Sequence, residues 1–178
     1  MGERAPMVDL MAWNADATRM PYRMHSEYLR RLFLNNDLAE GRYLVDDKPI
    51  ALTDIRVPVF SVGTVHDHVA PWRSTYKINF LTDTDVTYLL TSGGHNAGIV
   101  SEPGHDHRSF QVMTRKADGR YVDPETFLAQ APQKDGSWWP EWVTWLGSRS
   151  GEPVGPPEMG GADHASLADA PGSYVLQQ

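Results

Sequence analysis

The apolar positions of this chain change period along its length, and each change marks an element. Pro21 to Asn36 reads PYRMHSEYLRRLFLNN, where Tyr28, Leu29, Leu32 and Phe33 recur at helical spacing. Pro21 suits a helix start and the Asn35-Asn36 pair a stop, so one amphipathic helix is predicted there. Arg42 to Leu52 sets RYLV and KPIAL on either side of Asp46-Asp47, a turn-forming pair. This predicts a small hairpin, with Pro49 confining the second arm to an edge. VPVFSVG, Val57 to Gly63, is a nearly continuous β-branched and aromatic run closed by glycine, as in a buried parallel strand. A polar loop follows, TVHDHVAP from Thr64 to Pro71. Trp72 to Leu81 then returns to helical spacing, and VTYLLTSGGH, Val86 to His95, is a second apolar run ending in glycines. Strand, helix and strand in that order predict a right-handed parallel βαβ crossover.

Beyond Ser101 the pattern is irregular as far as Asp123. Pro124 to Ala131 suits a short helix. Pro140 to Leu146 suits another, with Trp142, Trp145 and Leu146 on one face and Gly147 just past its end. From Gly147 onward Gly, Pro, Ala and Ser dominate, a composition that buries little apolar surface and reads as a loosely ordered tail. The expected division is a cap-like helical and hairpin segment over 1–52, a core over 53–147 and a Gly/Pro/Ala-rich tail over 148–178. No internal repeat is present. The fold class is α/β.

Composition narrows the functions open to such a chain. Its 178 residues, 40% hydrophobic, permit one domain. A net charge of -7 with scattered Lys and Arg gives no basic face for nucleic acid. No run of about 18 apolar residues and no basic-then-apolar N-terminus is visible, so neither a membrane span nor a secretory signal is expected, and the expected location is cytoplasmic. There is no cysteine, which excludes disulfides, thiolate zinc sites and a cysteine nucleophile supplied by this chain.

In open α/β sheets, catalytic groups gather beyond the carboxyl ends of the strands. Asp67 follows the first apolar run and His95 the second, so adjacent parallel strands would deliver a carboxylate and an imidazole to one edge. α/β-Hydrolases place their triad in the chain order nucleophile, acid, histidine, and the last two match in order and topology. A carboxylate in that place fixes the imidazole tautomer and stabilises the imidazolium formed when the histidine takes the nucleophile's proton. The Gly93-Gly94 pair permits a tight turn that projects the ring of His95. The same residues also suit a solvated or capping role, since any strand can end in a polar loop. A nucleophile elbow of the form G-x-S-x-G, or its cysteine counterpart, should precede these elements, and none is present. GSRSG, Gly147 to Gly151, has Arg149 at its centre and lies downstream. One strand pair is too little sheet to close a hydrolase core, so an upstream half is expected to lie outside this sequence.

WNADATRMP (Trp13 to Pro21), HDHVAPW (His66 to Trp72), SGGHNAGIVSEPG (Ser92 to Gly104), GSWWPEW (Gly136 to Trp142) and APGSYV (Ala170 to Val175) form an ordered series of blocks. The series resembles the C-terminal part of poly(3-hydroxyalkanoate) synthases, from Val8 to Val175. That resemblance implies a partial α/β-hydrolase fold, the C-terminal strands and helices of a mainly parallel sheet. It further implies an acyltransferase that polymerises 3-hydroxyacyl units from coenzyme A thioesters on a cysteine nucleophile and requires no cofactor. By position in the blocks, Asp67 corresponds to the catalytic aspartate, which would orient the histidine or activate the substrate hydroxyl, and His95 to the general-base histidine, which would activate the cysteine thiol. His68 would support the site, and Trp13 would line a cap region. The partners implied are hydroxyacyl-CoA, the polyester product, and a second copy or an intact synthase, at the polymer granule surface. The sequence departs from the family pattern in lacking the cysteine-bearing block, so this chain alone is expected to be inactive. It also spells SGGHN with one glycine more than the commoner SGH.

Two other readings stay open on the residues alone. One is a related hydrolase, a depolymerase or thioesterase; the other is a non-catalytic remnant or interaction subunit. The triplets His66 to His68 and His105 to His107 invite a metal reading, but both fall in expected loops without a further ligand at fixed spacing, so no metal is expected. The tryptophans from Trp138 to Trp145 read as cover for the edge of a core, and Met20, Met24 and the first helix's aromatic stripe as packing. Arg30-Arg31 reads as a solvated face. An exposed half-sheet predicts aggregation or partial unfolding of the isolated chain.

Overall fold

In a computed structural model of the chain, the structure describes residue 13 and residues 19–158, 160–161 and 163–169. Most of the first block, 14–18, and the whole of the last, 170–175, lie outside the described residues. The described residues fall into two compact units, Tyr28–Gly151 and the residues that flank it.

α1 (Tyr22–Tyr28) begins after Pro21 and belongs to the flanking unit up to Glu27. It carries an exposed Arg23–Glu27 pair four residues apart, at 3.0 Å. The expected helix then passes into a π turn, Leu29–Leu34, in which the Asn35 N–H bonds the Arg30 carbonyl at 2.9 Å. Asn36, with φ +54°, ends it as the sequence suggests. Within the larger unit, the hairpin forms as β1 (Tyr43–Val45) and β2 (Lys48–Ile50), antiparallel. Asp46 and Asp47 take φ of +48° and +60°, the pair of left-handed residues that a tight two-residue hairpin turn requires.

The larger unit is built on a mixed sheet of four strands in the order β3-β4-β5-β6. β3 (Val59–Thr64) and β4 (Val86–Thr91) pair in parallel, which is the expected crossover. All six residues of β4 are buried, whereas β3 is buried only at Gly63 and Thr64 because it forms the sheet's edge. The buried strand expected over Val57 to Gly63 is therefore shifted and half-open.

The crossover helix from Trp72 to Leu81 resolves into α2 (Trp72–Thr75) and α3 (Ile78–Leu81). Between them the Thr75 hydroxyl bonds the Trp72 carbonyl at 3.0 Å, and the Asn79 amide bonds the Tyr76 carbonyl at 3.1 Å. These side chains compete with the backbone for helical bonding.

The sheet is not mainly parallel. β5 (Ser109–Arg115) and β6 (Gln133–Asp135) lie in stretches without a strand signal, and both pairings they make are antiparallel. Among the described residues only the β3–β4 pair is parallel, so the expected mainly parallel sheet is corrected to a mixed one.

Strand alternation sends Tyr88 and Leu90 to one face, where they pack with Trp72, Tyr76, Phe127 and Ala131. Phe127 belongs to α4 (Pro124–Gln130), which starts on Pro124 and is capped by Asp123 accepting the Thr126 N–H at 2.9 Å. Leu89 and Phe110 face the other way and pack with Trp138, at the mouth of α5 (Trp139–Gly147). The larger unit is thus α/β, with helices on both faces of one sheet. Its C-terminal ends of β3 and β4 open on the same edge.

Candidate active site

The parallel register of β3 with β4 continues past both strands. The Val65 N–H bonds the Thr91 carbonyl at 3.0 Å and the His66 N–H bonds the Gly93 carbonyl at 2.9 Å. The two loops therefore leave the sheet side by side, and the structure brings Asp67 and His95 together. His95 Nδ1 lies 2.9 Å from Asp67 Oδ2 and 3.1 Å from Oδ1.

The Asp67 carboxylate is held from its other side as well. Oδ1 accepts the backbone N–H groups of Val69, at 2.9 Å, and Ala70, at 2.8 Å, closing a tight local turn. Burial pushes the Asp67 carboxyl up, but the Ala70 N–H, the His95 imidazole and the Val69 N–H outweigh it and hold the group down at about 2. An ionised carboxylate can only accept, so Nδ1 of His95 carries a proton, and in the neutral ring Nε2 is the nitrogen with the lone pair. No hydrogen bond is made to Nε2 among the described residues. The Asp67 side chain is 9% exposed and that of His95 43%, so the carboxylate is set behind the ring and the ring opens outward. This is an oriented base without a bound proton donor.

The turn that carries His95 needs its first glycine and not its second. Gly93 has φ +103°, and a Cβ there would fall 2.9 Å from the Gly98 Cα. A Cβ on Gly94 would meet only the His66 carbonyl, at 3.7 Å. The additional glycine of SGGHN is thus accommodated without strain being relieved by it.

The other expected residues are placed as follows. His68 and His66 are exposed, and neither side chain forms a hydrogen bond among the described residues. Trp13 belongs to the flanking unit and is exposed. His105 pairs with Glu102 at 3.0 Å, and His107 takes φ +59°. Among the described residues, no group of three or more His, Asp or Glu lies close enough to hold a metal ion.

Residues not anticipated at the site come from the start of α5 and the two residues before it. The Trp138 Nε1–H donates to the Gly98 carbonyl at 3.1 Å, the Trp139 Nε1–H donates to the Ile99 carbonyl at 2.9 Å, and the Ser137 hydroxyl donates to the Ser101 carbonyl. The helical pattern singled out Trp142, Trp145 and Leu146 instead. The available signal was that a tryptophan entering a core needs a partner for its N–H, and a glycine-rich loop offers free carbonyls.

No protein-family model matches the chain. Comparison with curated proteins finds a poly(3-hydroxyalkanoate) polymerase subunit PhaC of Rhizobium etli, 37% identical over 178 residues, covering 99% of this chain and 27% of the relative. A poly(3-hydroxyalkanoate) polymerase of Methylorubrum extorquens is 40% identical, covering 98% of this chain and 28% of the relative. A polymerase subunit PhaC of Cupriavidus necator is 34% identical, covering 94% and 28%. The chain spans about a quarter of the length of these relatives.

Proposed function

The chain is homologous over nearly all of its length to part of the poly(3-hydroxyalkanoate) polymerases, and we propose that it supplies the acid and base of an acyl-transfer site in polyhydroxyalkanoate biosynthesis. The observation that carries this reading is the Asp67 carboxylate on His95 Nδ1 at 2.9 Å, beyond the ends of two parallel strands. We assign the sheet to the C-terminal part of an α/β-hydrolase fold on that arrangement, acid after one strand and histidine after the next. Residues 1–52 would then be a cap, 53–147 hydrolase core and 148–178 a tail.

His95 Nε2 takes the proton of a thiol donated by another stretch of polypeptide, since this chain has no cysteine. The thiolate attacks the thioester carbonyl of a 3-hydroxyacyl-CoA. The carbon–sulfur bond to coenzyme A breaks, and the imidazolium returns its proton to the departing sulfur. A hydroxyl of a second hydroxyacyl unit then attacks the enzyme thioester, its proton passing to Nε2. The new ester leaves the cysteine sulfur, which recovers that proton. Throughout, Asp67 holds the ring in one tautomer and offsets the charge of the imidazolium. No separate cofactor enters these steps. Because the product is a water-insoluble polyester, the reading places the chain at a polymer surface, with a synthase copy as its partner. Among the described residues, no helix is long and apolar enough to cross a membrane.

The test is to replace the matching segment of the Rhizobium etli polymerase with this chain and supply 3-hydroxybutyryl-CoA. The graft is expected to accumulate polymer, and His95→Ala is expected to slow coenzyme A release by about 10²- to 10⁴-fold, the usual range for loss of a general base. Free hydroxy acid in place of polymer would favour a thioesterase, and full activity of His95→Ala would overturn the reading.

A further inference from the structure

We propose that Ser137, Trp138 and Trp139 are positioning residues for His95, acting through the loop that carries it. This rests on the reading of His95 as the base. Three consecutive side chains donate to carbonyls of one short loop, those of Gly98, Ile99 and Ser101, across 36 to 40 residues of sequence.

The link from the clamp to the imidazole is short. The Trp138 indole fixes the Gly98 carbonyl, and the Gly98 N–H bonds the carbonyl of Gly94, the residue before His95, at 2.9 Å. Gly98 is closely surrounded and has no room for a side chain. A Cβ on it would lie 2.7 Å from Thr64 Cγ2 and 2.9 Å from the Gly94 carbonyl oxygen. The Ile99 and Val100 N–H groups both bond the Asn96 carbonyl at 3.0 Å, so the chain just after His95 is tied into the same turn. Trp138 itself is anchored, being 5% exposed and packed on Leu89 and Phe110 of the sheet. The Ser137 hydroxyl also accepts the Trp139 N–H at 3.1 Å, which links the donors to one another.

His95 has one bonded nitrogen, Nδ1, and an open one that must meet a thiol. A single hydrogen bond leaves the ring free to swing about the Asp67 carboxylate unless its backbone is held. The clamp supplies that second constraint from the opposite face of the sheet to α2 and α4. A purely structural reading would make the tryptophans core cover, with their N–H bonds incidental.

The test uses the whole 178-residue chain with ¹⁵N-labelled histidine, following solvent exchange of the His95 Nδ1 proton by NMR. Trp138→Phe, Trp139→Phe and Ser137→Ala each remove a donor. Trp142→Phe is the matched control, since that indole makes no hydrogen bond among the described residues. Each donor variant is expected to speed exchange by about tenfold or more, as local opening of the loop becomes easier, with Trp142→Phe unchanged. In the grafted polymerase, Trp139→Phe is expected to lower kcat about 10- to 100-fold while KM moves little, as misplacement of a catalytic group does. Exchange unchanged in Trp139→Phe and Ser137→Ala, or raised equally by Trp142→Phe, would overturn the proposal. Should Trp138→Phe unfold the chain, the other two variants still decide. Altered exchange together with an inactive role for His95 in the graft would instead count against the catalytic reading alone.

Discussion

Asp67 carries the electrostatics of the site in one carboxylate. Its folded value, about 2, lies below the ordinary 3.8, so the stability it contributes is present above pH 3.8 and is lost as pH falls towards 2. The shift corresponds to on the order of 2 kcal/mol at neutral pH. Urea unfolding of Asp67→Asn beside the unaltered chain is expected to show a gap of that size at pH 7 that narrows by pH 2. A gap independent of pH would mean that the carboxylate is not held as described. The neighbouring glycines divide in the same way. Gly93→Ala forces a Cβ into the left-handed region against Gly98 and is expected to cost about 1–3 kcal/mol. Gly94→Ala, whose Cβ would make only an ordinary contact with the His66 carbonyl, is expected to stay within about 0.5 kcal/mol by the same measurement.

Between elements, the strongest dependence falls on α4. Phe127 is fully buried against Tyr76 and Tyr88, so Phe127→Ala is expected to cost about 3–5 kcal/mol in urea unfolding. Asp123→Ala, which removes only the cap, is expected to cost about 1 kcal/mol. The elements legible in the sequence were those whose burial is uniform. β4 is buried on both faces and reads as an unbroken apolar run, and the hairpin turn is written in Asp46-Asp47. β5 was not legible because Phe110, Val112 and Thr114 face one layer while Gln111, Met113 and Arg115 face the other, so polar residues fall on both sides. Gln111 is held there by bonds from its amide to the Leu128 and Ala131 carbonyls, which no periodicity encodes. β6, QKD, is wholly polar and exists only as a partner of β5. The same limit applied to the site. Asp67 and His95 were legible because strand ends locate them, whereas Ser137 to Trp139 reach the loop only through tertiary contact.

For the molecule as a whole, the open edge of β3 is the decisive feature. Flanking it in sequence are exposed Val57, Val65 and Val69, an apolar margin to a strand whose outer side has no partner strand among the described residues. The isolated chain is therefore expected to self-associate with rising concentration in analytical ultracentrifugation, and Val57→Lys with Val65→Lys to reduce that association. A monodisperse monomer at all concentrations would contradict the open edge. The most direct measurement is the rate at which iodoacetamide alkylates the cysteine proposed as nucleophile in the Rhizobium etli polymerase carrying this chain as a graft. If the dyad activates that thiol, His95→Gln and Asp67→Asn should each slow alkylation at pH 7 by at least about tenfold. A rate equal to that of the unaltered graft in both variants would contradict it.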